Sequence, residues 1–547
     1  LNSRALAIAK QYLFLALLVV AVRAGFRFLF GGLSLDSLWF GFRDGVWLSL
    51  WVLAFGALNI LFDFSKIAGR IPGRFGTALS IAINLVPEQA RNIERIRYAS
   101  KLRSDRRGLK LIRRVIAPAL RTSVDGSLEL AASMETRGFG KAKQQIPMRG
   151  NKVSFQYPRD AKKYESIELE AGTVTLISGP TGSGKSTLLK LASGLAPHFT
   201  GGRVDRSTPR PNQLARFVAY VGQNPARSFV AATVYEELAF APKQLGLNLE
   251  QVEQLAERFT LTDKLALDPR TLSAGWQQRV AIAASLTAGA KTLLLDEPFS
   301  MLDGQGREAL LALLKLLKSS GFAIAIAEHR TAILIDLADI GVSLGESQIA
   351  NAKRLETKAN PELHKFKPVS VSYGRNVVFK DLEVSIPKAS ISVLTGPNGS
   401  GKSSLLRALA AQDSALVPQP AADLLFMNTA REELEQADKD CHLEIGTAQK
   451  LLERLVPNFP LGNNPSDLSE GQKLALAIAI QLGQNRPILL LDEPTVGFDE
   501  AAKSRLAELL FEITKLGKTV LLATHDHEFA KQISCHTISM GGVNVRQ

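Results

Sequence analysis

The chain has 547 residues, a net charge of +14 and two cysteines, Cys441 and Cys535. A length of this order holds roughly three or four domains with large cores, and so few cysteines exclude a disulfide framework and suit a reducing cytosol. No small-residue cleavage site follows the first apolar run, so no typical signal peptide is visible.

Residues 1–147 differ in character from the rest. Ala5–Val22 is apolar apart from Lys10 and Gln11, and Gly45–Phe62 carries no charge over eighteen residues. The second run predicts a membrane span, with Trp39, Trp47 and Trp51 as an interfacial belt. A buried helical hairpin is the alternative. Phe75–Pro87 is shorter and has Lys66, Arg70, Arg74, Arg91 and Arg95 on its flanks. Those flanks put both ends on the cytoplasmic side and predict an interfacial or re-entrant helix. Arg91–Arg114 is strongly basic. It reads as a cytoplasmic helix beside anionic headgroups rather than a nucleic-acid site, because no aromatic residues are interleaved for base stacking. An apolar helix then runs into Met134-Glu135-Thr136-Arg137-Gly138-Phe139.

From there one set of motifs occurs twice. The first copy reads GPTGSGKST (Gly179–Thr187), Gln223, LSAGWQQR (Leu272–Arg279), LLLDEP (Leu293–Pro298) and His329. The second reads GPNGSGKSS (Gly396–Ser404), Gln419, LSEGQK (Leu468–Lys473), LLLDEP (Leu489–Pro494) and His525. The steps from Gln to Ser273 or Ser469, on to Glu297 or Glu493, and on to the His are 50, 24 and 32 residues in both copies. Only the step from Lys185 to Gln223 differs from that between Lys402 and Gln419: 38 residues against 17. One deletion of 21 residues in the second copy accounts for the difference. Such a register marks two homologous nucleotide-binding domains.

Each motif has a physical task. Glycine-rich loops between a strand and a helix let backbone N–H groups close around phosphate oxygens, and the helix dipole adds to the attraction. Here those loops hold Gly179, Gly182 and Gly184, and Gly396, Gly399 and Gly401. Lys185 and Lys402 can reach β- and γ-phosphates, and the hydroxyls of Ser186 and Ser403 can ligate Mg²⁺; Thr187 and Ser404 follow them. The apolar runs before Asp296-Glu297 and Asp492-Glu493 read as buried strands ending in two carboxylates, which is costly without a cation. The aspartates would hold Mg²⁺ and the glutamates would polarise the attacking water. His329 and His525 each follow another apolar strand; a structural role and γ-phosphate sensing both fit one such histidine, and the repeated spacing favours sensing.

The combination of P-loop, Gln, LSxG, DEP and His resembles the ATP-binding cassette (ABC) ATPases over roughly residues 148–547. The resemblance implies an ATPase using ATP and Mg²⁺, with two cassettes packed head to tail and each ATP held between one P-loop and the other signature. Lys185, Ser186, Gln223, Asp296, Glu297 and His329 would then face Ser469 and Gly471. Lys402, Ser403, Gln419, Asp492, Glu493 and His525 would face Ser273 and Gly275. Gln223 and Gln419 join the metal set, and Ser300–Asp303 and Val496–Asp499 resemble D-loops. Tyr157 and Tyr373 resemble the adenine-stacking aromatic, with core packing the alternative. Trp276 and Ala274 depart from the usual signature, as does Glu470, and the deletion trims the small β-subdomain of the second cassette.

Thr136-Arg137-Gly138, and more weakly Leu102-Arg103-Ser104, resemble the Arg-centred ends of coupling helices in the transmembrane T component of energy-coupling factor (ECF) transporters. That resemblance implies an α-helical membrane and coupling region at 1–147, followed by two α/β P-loop domains at 148–345 and 367–547 with a linker at 346–366. It implies import of a micronutrient captured by a small membrane S component, coupling through Arg103 and Arg137, and a location at the cell membrane with the ATPases on the cytoplasmic side. A further T-type membrane subunit and an anionic lipid surface would be partners, and nucleic acid would not. The alternatives are a tandem ABC ATPase acting on ribosomes or RNA, and the ATPase of another membrane-linked ABC transporter.

Overall fold

The computed structural model describes residues 13, 16–17, 19–20, 23–24, 27, 35–61, 94–103, 124, 126–140, 153–157, 163–179, 183–328, 331–344, 362–373, 376–396, 399–465, 468, 470–495, 498 and 500–540. His329, Gly182 and Ser469, named above, lie outside them, as do Phe75–Pro87 and most of the linker. The chain divides into two compact units, 1–88 and 89–547.

The first unit is built on helix α1 (Leu35–Leu61). Its glycine face is in close contact with an earlier helical stretch. A Cβ on Gly45 would lie 2.8 Å from the Val20 Cα, and one on Gly41 2.9 Å from the Ala24 Cα. Trp39, Trp47 and Trp51 are exposed. The predicted span over Gly45–Phe62 is corrected here: among the described residues no helix is long and apolar enough to cross a membrane. Arg43 and Asp44 interrupt α1, and Asp44 pairs with Arg27 and Arg43, each at 3.6 Å. The uncharged remainder of the helix, Gly45–Leu61, covers roughly 25 Å at ~1.5 Å per residue, short of a ~30 Å hydrocarbon core. The α-helical membrane region and the cell-membrane location rested on that span and are withdrawn with it.

The second unit contains two parallel sheets of five strands. In the first cassette these are β1 (Val174–Ser178), β2 (Val218–Val221), β3 (Thr292–Asp296), β4 (Ala323–Ala327) and β5 (Ile340–Ser343), in the order β2-β3-β4-β1-β5. In the second they are β6 (Ile391–Thr395), β7 (Ser414–Val417), β8 (Ile488–Asp492), β9 (Thr519–Ala523) and β10 (His536–Ser539), in the order β7-β8-β9-β6-β10. The register repeats as well: Asp296 pairs with Ala327, and Asp492 with Ala523. Continuous apolar runs such as AIAIA and TVLLA form strands buried along their whole length, as expected where both faces of a parallel sheet are covered. Leu189 of the P-loop helix α2 (Lys185–Ala192) and Leu314 of α5 (Gly304–Ser319) are fully buried in separate core clusters, with α3 (Val234–Leu245) and α4 (Ala274–Leu286) adding to the larger one. The second copy has α6 (Lys402–Leu409), α7 (Ala430–Asp440), α8 (Glu470–Leu482), α9 (Glu500–Lys515) and α10 (His527–Ile533).

The length difference has a visible location. In the first cassette the chain leaves α2 and forms a short strand, Arg203–Val204, that pairs antiparallel with Ser154–Gln156. In the second, α6 ends at Leu409 and β7 begins at Ser414, so no such strand intervenes.

Candidate nucleotide sites and the arginine seats

Both P-loops leave the carboxyl end of a central strand and turn into a helix capped by a left-handed glycine, Gly184 (φ 103°) or Gly401 (φ 91°). At Gly184 any side chain is excluded, because a Cβ would lie 2.0 Å from the Tyr164 ring. Lys185 Nζ donates to the Gly179 carbonyl and Lys402 Nζ to that of Gly396, both at 2.8 Å. Each lysine is thus folded back across its own loop, where phosphate oxygens can take over the contact.

Beside each lysine a hydroxyl meets a carboxylate. Ser186 Oγ donates to Asp296 at 2.8 Å, and Ser403 Oγ to Asp492 at 3.0 Å. Burial pushes both aspartates above the ordinary carboxylate range. These are hard oxygen donors, and few of them, which suits Mg²⁺ completing its shell with phosphate and water. Among the described residues no group of three or more His, Cys, Asp or Glu could hold a metal by itself. Tyr220 also reaches Asp296, at 3.4 Å, a contact the sequence reading missed.

Glu297 and Glu493 begin the turn after their strands at φ 47° and 52°. Positive φ is uncommon for a residue with a side chain, yet both copies adopt it, each donating its N–H to the neighbouring strand at Ala327 (2.9 Å) or Ala523 (2.8 Å). Their carboxylates are held differently. Gln223 Nε2 donates to Glu297 at 2.6 Å. Glu493 instead accepts the His525 N–H at 3.1 Å and has His525 Nε2 at 3.3 Å. Burial raises Glu493 to about 7 and lowers Lys402. Gln419 lies two residues beyond β7.

The remaining predicted residues fall as follows. Ser273 is the N-cap of α4 without spending its hydroxyl on the helix, and Gly275 and Gly471 sit in the first turns of α4 and α8. Thr187 is buried, and the Tyr157 hydroxyl is 3.3 Å from its Oγ1. The Tyr157 ring packs edge-on against Phe155 and Tyr164, and Tyr373 ends the strand Val369–Tyr373. Gly399 (φ 83°) and Gly396 (φ 151°) shape the second loop, with Ser404 in α6. Asp303, the N-cap of α5, acts electrostatically on Lys402 of the other cassette. The first D-loop therefore lies beside the second P-loop, as head-to-tail packing requires.

Arg137 and Arg103 are both buried against a cassette. Arg137 Nη1 pairs with Glu237, its Nη2 donates to the Ser228 carbonyl at 2.7 Å, and its guanidinium lies 5.2 Å from the Phe240 ring centre. Arg103 Nη1 pairs with Glu433 and donates to the Leu424 carbonyl at 2.9 Å, with Phe426 at 5.4 Å. Glu237 and Glu433 are 0% exposed, and Arg137 and Arg103 are 4% and 6% exposed. The glutamates also accept backbone N–H groups: Val230 and Ala231 in one case, Phe426 and Met427 in the other. Gly138 (φ 84°) follows Arg137 where a Cβ would meet Leu245 at 2.5 Å, so the chain turns tightly onto α3. Glu237 and Glu433 were not foreseen, although the repeated Glu-Glu-Leu after Thr233-Val-Tyr and Thr429-Ala-Arg was available as a signal.

A family profile described as ABC transporter matches residues 163–300 and 379–496. A putative ABC transporter ATP-binding protein of Streptomyces avermitilis is 32% identical over 493 residues, covering 68% of this chain and 88% of the relative. The putative HMP/thiamine import ATP-binding protein YkoD of Bacillus subtilis is 26% identical, covering 69% and 86%. Among solved structures, a model of ribosome-bound archaeal Pelota and ABCE1 shares the fold, with a TM-score of 0.50 at 21% identity over 71% of this chain and 76% of that one.

These findings correct the ECF resemblance. What the chain matches is the cassette pair, and the fold neighbour is a ribosome-bound tandem ABC protein. The residues that suggested a T component do not include a helix able to span a membrane. The expected S component, further T-type subunit and anionic lipid surface are withdrawn as partners, and the exclusion of nucleic acid is withdrawn with them.

Proposed function

Because the chain belongs to the family of ABC transporter ATP-binding proteins, we propose that it is a two-site ATPase whose closure on ATP moves a load seated at Arg103 and Arg137. The domain limits we assign are 148–345 and 367–547, joined by 346–366. Lys185 and Lys402 hold the β- and γ-phosphates. Ser186, Gln223 and Asp296 hold Mg²⁺ in one site, and Ser403, Gln419 and Asp492 in the other; bound there, the ion offsets phosphate charge. Glu297 and Glu493 take the attacking water's proton, and His329 and His525 sense the γ-phosphate. Ser273 and Gly275 complete the second site, and Ser469 and Gly471 the first. Tyr157 and Tyr373 lie against the adenine.

The observation that carries the reading is the repeated seat. An arginine at a helix end is gripped by a buried glutamate on each cassette, so separation of the cassettes separates the helices. Planar multi-donor contacts of this kind suit arginine and not lysine. The test is turnover and nucleotide binding in matched variants of the two seats. Retained ATPase activity with the helices released supports the stroke, and unchanged helix docking in Arg137→Glu removes it.

One observation favours a ribosomal or RNA-containing load. The helical residues 94–103 bury Ile96, Ala99 and Arg103 against the second cassette and expose Arg95, Arg97 and Lys101. A basic face on a chain of net charge +14 attracts polyanions, with affinity that falls steeply with salt. Turnover measured with and without ribosomes or RNA at two salt concentrations tests this load. Stimulation that fades with salt supports it, and no binding at low salt removes it while leaving the ATPase reading intact.

A further inference from the structure

A buried ion pair in the second cassette joins two loops that serve different ATP sites. Lys503 Nζ lies 2.9 Å from Asp526 Oδ2, and the two side chains are 7% and 8% exposed. Lys503 stands one turn into α9, the helix that follows the second D-loop, and it also pairs with Glu500 at the start of that helix, at 2.7 Å. Asp526 is the next residue after His525, whose ring is 3.3 Å from Glu493. The other oxygen of Asp526 caps α10 through the Phe529 N–H at 3.1 Å. A continuous path therefore runs from Glu493 through His525 and Asp526 to Lys503 and the base of the D-loop.

The path leads across the molecule. The first D-loop places Asp303 where it acts on Lys402 of the opposite cassette. The pseudo-symmetry of the two sheets puts the second D-loop, 496–499, against the first P-loop. The first cassette has no such bridge to offer in return. The residues 196 positions below Lys503 and Asp526 are Arg307 and Arg330, both cations. The link is built into one half of the molecule.

We propose that Lys503 is a positioning residue that ties the second D-loop to the His525–Glu493 pair, so that the nucleotide state of the second site sets the geometry of the first and not the reverse. The proposal rests on the head-to-tail reading of the two cassettes. A buried charge pair suits this task because removing either partner leaves the other uncompensated, so the two loops move together.

The experiment is a mutant cycle on the full chain, with ATP turnover and thermal melting as readouts. Lys503→Met in the otherwise wild-type protein is expected to lower kcat about 5-fold, in the range found for residues that carry coupling, with KM for ATP changing less than about 2-fold, and Lys503→Arg should restore it. In a Lys402→Ala background, where the second site cannot hold ATP, the same Lys503→Met change should cost less than about 1.5-fold. Equal costs in both backgrounds overturn the proposal and leave Lys503 with a structural role only. Where Lys402→Ala leaves too little turnover to compare, the pair itself decides. Asp526→Asn, which retains the capping oxygen, must reproduce Lys503→Met, and the double variant must cost no more than either. Costs that add overturn the proposal. Loss of activity in Glu297→Gln and Glu493→Gln would be unaffected by either result, so the ATPase reading is tested separately.

Discussion

Glu237 and Glu433 occupy one place in two copies of the same seat. They stand 196 residues apart, the offset that also separates Ser228 from Leu424, whose carbonyls receive the two arginines. Each glutamate accepts two backbone N–H groups and one guanidinium. A carboxylate so fully satisfied is stable in the interior only while its arginine is present. The two coupling contacts are therefore matched in strength, although the Arg103 motif is the poorer one in sequence.

Breaking a buried pair by removing one partner costs about 3–5 kcal/mol. Arg137→Glu and Arg103→Glu should both release their helices, to a similar extent, with nucleotide binding largely retained. Hydrogen exchange over 94–103 and 126–136 reads the release directly. A much smaller effect at Arg103 would contradict the equivalence of the two seats.

Glu297→Gln combined with Glu493→Gln should retain ATP binding and lower turnover by ~10²–10⁴-fold, the usual loss for a general base. The amide preserves the shape of the turn and its hydrogen bond to Ala327 or Ala523. Near-normal turnover in the double variant would remove the role given to these glutamates.

The two sites should fail unequally. Glu297 is held by Gln223 at 2.6 Å, whereas Glu493 faces His525 at 3.3 Å. Lys185→Ala and Lys402→Ala are expected to lower activity by different factors, with each still harmful because each cassette completes the other's site. Indistinguishable losses across ATP concentrations would count against the asymmetry.

Burial raises Glu493 from 4.5 to about 7, and the sign of its effect on stability follows. A carboxyl whose folded value lies above its unfolded value binds more protons when folded. Its contribution is fully present below pH 4.5 and is lost as pH rises through about 7, in keeping with proton linkage. In nucleotide-free protein, Glu493→Gln should therefore flatten the pH dependence of the melting temperature in that window and raise stability at pH 8. An unchanged slope would show that Glu493 is not the titrating group.

Trp276 lies with Lys264 Nζ at 4.1 Å and Arg279 at 4.6 Å from its ring. Such contacts contribute about 0.5–1 kcal/mol each at exposed sites. Trp276→Gln should lower the denaturant midpoint by a comparable amount while turnover at the second site persists, since Ser273 and Gly275 are untouched. Loss of that turnover would give Trp276 a direct part in the site.

The cassettes were legible because their chemistry needs fixed residue types at fixed steps. The strand ends at Asp296 and Asp492, the loops at Gly184 and Gly401, and the trimmed connection before Ser414 all follow from the repeat. The opposite partners of the arginines were hidden, because Glu237 and Glu433 look in sequence like ordinary first-turn acids near a helix N-terminus. Their burial arises from tertiary packing against Arg137 and Arg103. The N-terminal region misled for a different reason. The run Gly45–Phe62 was judged on its apolar character, while Arg43 and Asp44 just before it and the end of α1 at Leu61 limit how much helix it supplies.

The repeated seat has a consequence for how the halves can change over time. Two separate ATPase chains pairing at random would form like and unlike dimers, and a mutation in one would appear in every copy. Here the partner of each half is fixed by covalent linkage, at a high effective concentration and in a one-to-one ratio. A bridge such as Lys503–Asp526, a lost β-strand or an unusual signature tryptophan can then arise on one side alone without ever facing its own copy. Joining two equivalent motors in one chain is what allows them to become unlike.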